Sequence, residues 1–299
     1  MRVVEGKTAF ITGGGSGVGF GMAQVFGKAG MKVVIADIRQ DHLDQAMAHF
    51  RGANDVHAIR LDVTDRAAFA RAADEAERVF GKVHLVCNNA GINLFNDMGD
   101  ATYDDWDWVL GVNLGGVVNG VQTFVSRLKA HGEGGHIVNT ASMASFISGQ
   151  GAGIYTASKF AVRGLSEALR YSLAPHDIGV SVLCPGLVKS HIYESDKIRP
   201  EALSVHASKA PEAFMQRLAA VHDAGMEPVE VGEKVLKAVR DNELYIFPHP
   251  EFKEEMAELF QEALAAVPDE PAPAERLQFE EGRRAAKAKA KEGWSKVGQ

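Results

Sequence analysis

Tyr155 and Lys159, four residues apart in the run YTASK, form the pair whose types and spacing most directly imply chemistry. On a helix this spacing puts both side chains on one face. A phenol with a pKa of about 10 is a poor base at neutral pH. An adjacent ammonium and a second nearby positive charge both favour the phenolate and move it toward working pH. Tyr155 can then exchange a proton with an alcohol or carbonyl oxygen, and Ser142, 13 residues upstream at the end of an apolar run, can hold that oxygen by a hydrogen bond. The four-residue spacing alone decides little, because Tyr193 and Lys197 repeat it. Thirteen residues before Tyr193 stands Val180, inside an apolar run, so Tyr155 is the expected base.

A second constellation lies near the N-terminus. Thr12-Gly13-Gly14-Gly15-Ser16-Gly17-Val18-Gly19 follows a short apolar run and opens a helical pattern over 20–29. Glycines there let the backbone turn sharply and approach a phosphate, whose charge the helix N-terminus favours. Asp37, 18 residues beyond Gly19 at the end of the next apolar run, is placed to hydrogen-bond a ribose 2′-hydroxyl. A 2′-phosphate would meet a like charge there, costing on the order of 4 kcal/mol at 4 Å and an effective dielectric of 20. Arg39 softens that repulsion, whereas Ile38 supplies no cation, so the expected cofactor is NAD rather than NADP.

The elements that must position these groups follow from periodicity. Short, often β-branched runs at 8–11, 32–36, 56–61, 83–86, 136–139 and 180–183 alternate with amphipathic stretches such as 66–80 and 153–174. Continuous apolar runs suit strands covered on both faces. Strand–helix alternation on this scale predicts an α/β fold: a single doubly wound, Rossmann-type parallel sheet with helices on both faces. Residues 230–239 read as a further helix and 244–247 as a last strand, giving a domain over 1–249. Beyond it, 250–299 reads as a helical C-terminal extension with helices at 251–266 and 278–292. Phe252, Met256, Leu259, Phe260 and Leu264 mark one apolar face expected to pack on the body. Cys87 and Cys184 fall at strand ends and read as small buried thiols.

In order along the chain, these motifs resemble the short-chain dehydrogenase/reductase superfamily. TGGGSGVG matches its glycine-rich loop, which implies cofactor contacts at Thr12, Gly13, Ser16, Gly17, Val18 and Gly19. The resemblance further implies adenine contacts at Asp62 and Val63 in LDVTD, and a cofactor-lining strand end at Asn89, Ala90 and Gly91 in NNAG. It makes Asn113, Ser142, Tyr155 and Lys159 the catalytic set, with Asn113 in a water-linked proton relay and Lys159 also on the nicotinamide ribose. Pro185, Gly186, Val188 and Ser190 would face the nicotinamide, Ser190 standing where the family more often has threonine. Across its whole length the chain is also similar to bacterial Cα-dehydrogenases that oxidise lignin-derived β-aryl ethers. GVGFGMAQVFGKAG, TYDDWDWVLGVNLGGVVNG and DNELYIFPHPEFKEEM carry this likeness. It implies NAD-dependent oxidation of a benzylic secondary alcohol to its ketone, and the superfamily implies a homodimer or homotetramer.

The substrate pocket is expected among three segments, 92–98, 143–149 and 190–225, which contribute Phe95, Met98, Met143, Phe146, Ile147 and Tyr193. The set suits a bulky, apolar secondary alcohol. Residues 190–225 read as a lid with Gly225 as one hinge. An NADPH-dependent carbonyl reductase and a non-catalytic dinucleotide-binding redox sensor are the alternatives.

Composition sets the outer bounds. The 299 residues are 46% hydrophobic and 24% charged, with a net charge of −7, which disfavours nucleic acid and anionic membrane surfaces as partners. No unbroken apolar run reaches the roughly 20 residues of a membrane span. Two cysteines give no disulfide framework and fit a reducing, cytoplasmic setting. The 11 histidines show no metal-binding spacing, and no GxSxG elbow surrounds Ser142.

Overall fold

Alternation within the strands builds two core layers. Ala9 and Ile11 of β1 (Thr8–Thr12) and Val33 and Ile35 of β2 (Lys32–Asp37) face one layer, while Phe10, Val34 and Ala36 face the other. Successive side chains of a strand point to opposite faces, so a strand covered on both sides must be apolar throughout. The computed structural model describes residues 1–53, 55–207 and 212–297. It adds β3 (Val56–Arg60), β4 (Leu85–Asn88), β5 (Gly135–Thr140), β6 (Ile178–Leu183) and β7 (Tyr245–Ile246). The seven strands form one parallel sheet in the order β3-β2-β1-β4-β5-β6-β7.

Helices cover both faces. The first layer is closed by α1 (Gly17–Lys28), α2 (Gln40–His49) and, from late in the chain, residues 228–241, through Met22, Phe26, Leu43, Val231, Val235 and Val239. The second is closed by α3 (Arg66–Phe80), whose N-terminus is capped by the Asp65 carboxylate accepting from the Ala67 and Ala68 amides. Phe69 of α3 and Phe124 flank Phe10, the Phe10 and Phe124 rings lying 4.8 Å apart. Phe124 belongs to α5 (Gly116–His131), which continues α4 (Tyr103–Leu110) through a π-helical turn, Gly111–Gly115. This Tyr103–His131 stretch is long and apolar enough to cross a bilayer, although the sequence shows no unbroken apolar run of that length. Its apolar side is used inside the protein, where Trp108, Val109, Val117, Phe124 and Leu128 are buried.

The remaining helices are α6 (Gly153–Leu173), α7 (Glu212–Asp223), α8 (Pro228–Asp241), α9 (Lys253–Ala265) and α10 (Ala274–Glu292). The fourth strand ends later than the sequence pattern predicts, because Asn88 stays in the ladder. Its side-chain amide donates to Asn139 Oδ1 at 2.9 Å, and Asn139 Nδ2 donates to Ser166 Oγ at 3.0 Å. Paired this way, two polar side chains can lie in a buried strand.

The helical extension is anchored at its two ends. Phe252 and Met256 pack against the cluster of Val117, Met143, Phe146 and Val162, whereas Leu264, expected on the same seated face, is 70% exposed. Neither α9 nor α10 buries a residue. The chain then returns to the body, where the Trp294 ring lies tilted against Tyr171 and sits under the Arg170 guanidinium, and Trp294 accepts a bond from Asn242 Nδ2 at its backbone carbonyl.

Candidate active site

The strand order reverses between β1 and β4, and the crevice above their C-terminal ends is where the two strand-end loops meet. Thr12 Oγ1 accepts from the Asn89 and Ala90 amides at 2.9 and 3.1 Å, and Asn89 Nδ2 donates to the Thr12 and Gly13 carbonyls. Gly13 has φ +61°, and a Cβ there would sit 2.9 Å from Ala90 Cα. At Gly19 a Cβ would lie 2.1 Å from the Gly13 carbonyl oxygen, so both loops tolerate only glycine at these points. Ser16, the N-cap of α1, makes no side-chain capping bond and the first turn holds no acid, which leaves the helix amides for an anion.

Asp37 closes the crevice on the β2 side. Its carboxylate accepts from the Gly15 amide at 3.1 Å and the Arg39 amide at 3.0 Å. Arg39 turns its guanidinium to Asp41, with Nε 3.0 Å from Oδ1, and lies 3.7 Å from Glu194. That cation is therefore engaged by two carboxylates. Ser16, Gly17, Val18, Asp62, Val63 and Gly91 line the same cleft, and Ser190 abuts Gly17.

Tyr155 and Lys159 share a face of α6 and open into this cleft. Lys159 Nζ donates to the Thr140 carbonyl at 3.0 Å and lies 5.4 Å from the Tyr155 ring centre. Burial lowers the Lys159 pKa to about 8. Burial likewise holds the Tyr155 phenol above its ordinary value, opposed by its hydrogen bond with Ser142. The sequence-based expectation drew on two positive charges, the ammonium and a second one nearby, and of these the chain itself supplies Lys159. Ser142 follows β5, its Oγ accepting from the Ala144 amide at 3.1 Å. Asn113 sits in the π-helical turn, fully buried, and exchanges two bonds with the Ile92 backbone while donating to Ser158 Oγ at 3.0 Å. Such turns interrupt the regular ladder and re-aim a side chain.

The substrate end of the cleft, which totals about 710 Å³, is bounded by Phe95, Met143 and Ile147 as expected residues. Phe146, Met98 and Tyr193 do not line it. Phe146 packs outward among Arg163, Tyr245, Phe247 and Phe260, and Tyr193 lies against His191 and His222. Met98 packs against Gly153 and is half exposed. Sequence reasoning missed Trp108, Leu218, His222 and Phe252, all on the lining. Their signal lies in helix faces that point at the cleft only after the fold forms.

Residues 190–207 and 212–225 form a cover of short 3-10 turns (Ile192–Ile198 and Glu201–Leu203) and α7, while residues 208–211, also within the expected lid, lie outside the described residues. Its base is stapled where Val188 pairs with Met226, through Met226 N–H to Leu187 O and Lys189 N–H to Met226 O, both at 3.0 Å. Gly225 belongs to this close contact, since a Cβ there would sit 2.7 Å from Val188. Further along, Ser195 Oγ accepts from the Asn93 amide at 3.1 Å, and Arg199 pairs with Asp105 of α4.

A crevice of this construction marks the dinucleotide-dependent oxidoreductases, and comparison with known proteins narrows the class. Residues 7–200 match the family described as short chain dehydrogenase, and the chain belongs to that family. It is an NAD(P)-dependent alcohol dehydrogenase/ketone reductase acting on small molecules. It is 44% identical, over 89% of its length and 88% of the relative's, to "C alpha-dehydrogenase" of Sphingobium sp. strain NBRC 103272 / SYK-6. Among solved structures it resembles the apo form of LigO from Sphingobium sp. strain SYK-6, with TM-score 0.78 and 46% identity over 95% of this chain and 98% of that one. It also resembles a short chain dehydrogenase/reductase from Burkholderia phymatum in complex with NAD, with TM-score 0.84 and 35% identity over 91% and 100% of the two chains.

Proposed function

We propose that the protein is an NAD-dependent dehydrogenase that interconverts a bulky benzylic secondary alcohol and its ketone. The observation that carries this reading is the meeting of Ser142, Tyr155 and Lys159 in one cleft with Asp37 and the glycine-rich turn. The residues fit a dinucleotide, since two glycines let the turn close tightly on itself and on the Asn89–Ala90 strand end, and the α1 amides lack a side-chain cap. Thr12, Gly13, Ser16, Gly17, Val18 and Gly19 would hold the pyrophosphate, Asp37 the adenosine ribose, Asp62 and Val63 the adenine, and Asn89, Ala90 and Gly91 the crevice floor. Pro185, Gly186, Val188 and Ser190 would flank the nicotinamide. Asp37 beside a neutralised Arg39 favours NAD over NADP.

When bound, the oxidised nicotinamide supplies the hydride acceptor and a positive charge. Ser142 holds the substrate oxygen. Tyr155 takes the hydroxyl proton as the carbinol C–H bond breaks, the electron pair leaving with hydrogen as hydride and the oxygen keeping its electrons to form the carbonyl. Lys159 holds the nicotinamide ribose, and Asn113 orders the polar path behind it. Phe95, Met143, Ile147 and Trp108 offer an apolar wall suited to an aromatic ring, in keeping with the likeness to C alpha-dehydrogenase. We further assign the protein to the reducing cytoplasm as a homo-oligomer, the two cysteines being free and buried.

The test mixes purified protein with NAD and a panel of benzylic secondary alcohols, β-aryl ether dimers included, and follows NADH absorbance beside Tyr155→Phe. Turnover lost in the variant supports the reading. Turnover of aliphatic or steroid alcohols alone discards the benzylic assignment, and activity only with NADPH and ketones reverses the cofactor assignment.

A further inference from the structure

The run FPHPEF follows β7 and belongs to none of the motifs of the site, yet its histidine bonds the backbone of a turn that lines the cleft. The β6–β7 ladder ends where the Cys184 amide donates to Ile246 O, and the chain then leaves the sheet as Pro185-Gly186-Leu187. Past that point the Leu187 carbonyl accepts from the Met226 amide at 3.0 Å, while the Gly186 amide has no backbone acceptor among the described residues. On one side the Pro185 carbonyl accepts from the Met143 amide at 2.9 Å and from Ser142 Oγ at 3.4 Å. On the other, His249 takes over: the Gly186 N–H donates to Nδ1 at 3.0 Å, and Nε2 lies 3.0 Å from the Leu187 carbonyl. An amide N–H can only donate and a carbonyl can only accept, so one form of the ring satisfies both, the neutral imidazole protonated on Nε2. His249 is 5% exposed, held between Pro248 and Pro250, with the Phe252 ring beside it. Phe252 fills the space over Gly186, where a Cβ would fall 2.5 Å from its ring, and itself lines the cleft.

We propose that His249 is a positioning residue for the nicotinamide half of the cofactor: its ring, bonded to Gly186 and Leu187, fixes the 185–188 turn against Ser142 from the root of the C-terminal extension. The proposal rests on the dinucleotide reading given above. It assigns the extension's first residues a place in the active-site architecture, although His249 touches no reacting atom.

The test compares binding of NADH with that of ADP-ribose, which lacks the nicotinamide, in the full-length protein and in His249→Phe. The phenyl ring keeps the volume but leaves the buried Gly186 amide without an acceptor, while the Leu187 carbonyl keeps only its bond from Met226 N–H, so the NADH Kd rises about tenfold. The ADP-ribose Kd stays unchanged, and the KM for NAD rises more than kcat falls. His249→Asn, whose Oδ1 can accept from Gly186 N–H, restores most of the NADH affinity, and His249→Gln restores less. If His249→Phe does not fold, the Asn and Gln pair decides. Unchanged NADH affinity in the variants, or equal losses for NADH and ADP-ribose, overturns the proposal. Failure of the unaltered protein to bind NADH overturns the dinucleotide reading itself, and the proposal with it.

Discussion

Arg199 and Asp105 form an ion pair of 2.6 Å in which the arginine side chain is 4% exposed and the carboxylate not at all. The pair joins the cover of the cleft to α4, and the same guanidinium lies 4.7 Å from the centre of the Trp108 ring, a lining residue. Its Nε also donates to the Leu203 carbonyl. Breaking a buried pair from one side strands the other charge, at a cost of about 3–5 kcal/mol. Arg199→Leu is therefore expected to lower the thermal midpoint and raise the KM for the alcohol, with little effect on the affinity for NADH. Calorimetry with steady-state kinetics checks both halves.

On the proposed mechanism, removing the phenol from Tyr155 takes away the proton acceptor while leaving the cleft in place. Tyr155→Phe is expected to lose about 10²- to 10⁴-fold in kcat, the usual range for a positioned acid–base group, while binding NADH as before. A large loss of NADH affinity in fluorescence titration would contradict this division of roles.

The pH profile follows from the same residue. With Tyr155 as the proposed base, oxidation draws on the phenolate, so kcat/KM for the alcohol is expected to rise with pH through the Tyr155 pKa, and ketone reduction to fall at the high end. Burial raises that pKa and the Ser142 hydrogen bond opposes the rise. Ser142→Ala should therefore shift the ascending limb to higher pH, in addition to slowing the reaction. A profile displaced to lower pH would refute this.

Lys159 is buried with its pKa lowered to about 8 from 10.5. Below about pH 8 the ammonium is charged in both folded and unfolded chains, and its desolvation opposes folding in full. Between about 8 and 10.5 the folded protein binds fewer protons than the unfolded chain, so this opposition fades as pH rises. Lys159→Met should thus be inactive yet melt a few degrees higher at pH 7, with the gain shrinking toward pH 10. Melting curves across that range test the sign.

The proposed preference for NAD assigns the choice of cofactor to Asp37. Asp37→Ser removes the charge that opposes a 2′-phosphate, and the ratio of kcat/KM for NAD over NADP should fall at least tenfold. The absolute rate with NAD drops as well, because Gly15 and Arg39 lose their carboxylate acceptor.

The sheet and the glycine-rich turn are legible in the chain because their signals are local. Glycine runs, β-branched strands and a tyrosine four residues before a lysine are read without knowing what lies across the fold. Even Tyr193, the competing copy, was separable by what precedes it. The errors arose where direction mattered more than position. Phe146 lies in the expected segment, but its backbone turns the ring outward onto Arg163 and the β7 aromatics. Trp108, Arg199 and His249 gave no local sign, since their partners stand far away in sequence: Asp105 is 94 residues from Arg199, and Gly186 is 63 from His249. The buried Asn88–Asn139 bond hid the end of β4 for the same reason, as each asparagine looks like a turn residue until the other is beside it.

The pairing of Val188 with Met226 has an evolutionary consequence. The passage between these two residues leaves the body and rejoins it at one stapled point, touching it elsewhere through side chains such as Ser195 on the Asn93 amide and Arg199 on Asp105, so the cover is an insert whose entry and exit are already joined. A descendant gene could exchange the passage beyond Ser190, in length and in composition, without altering one strand of the sheet or one residue of the glycine-rich turn. Selection for new alcohols can thus act on a replaceable module while the redox machinery is inherited intact.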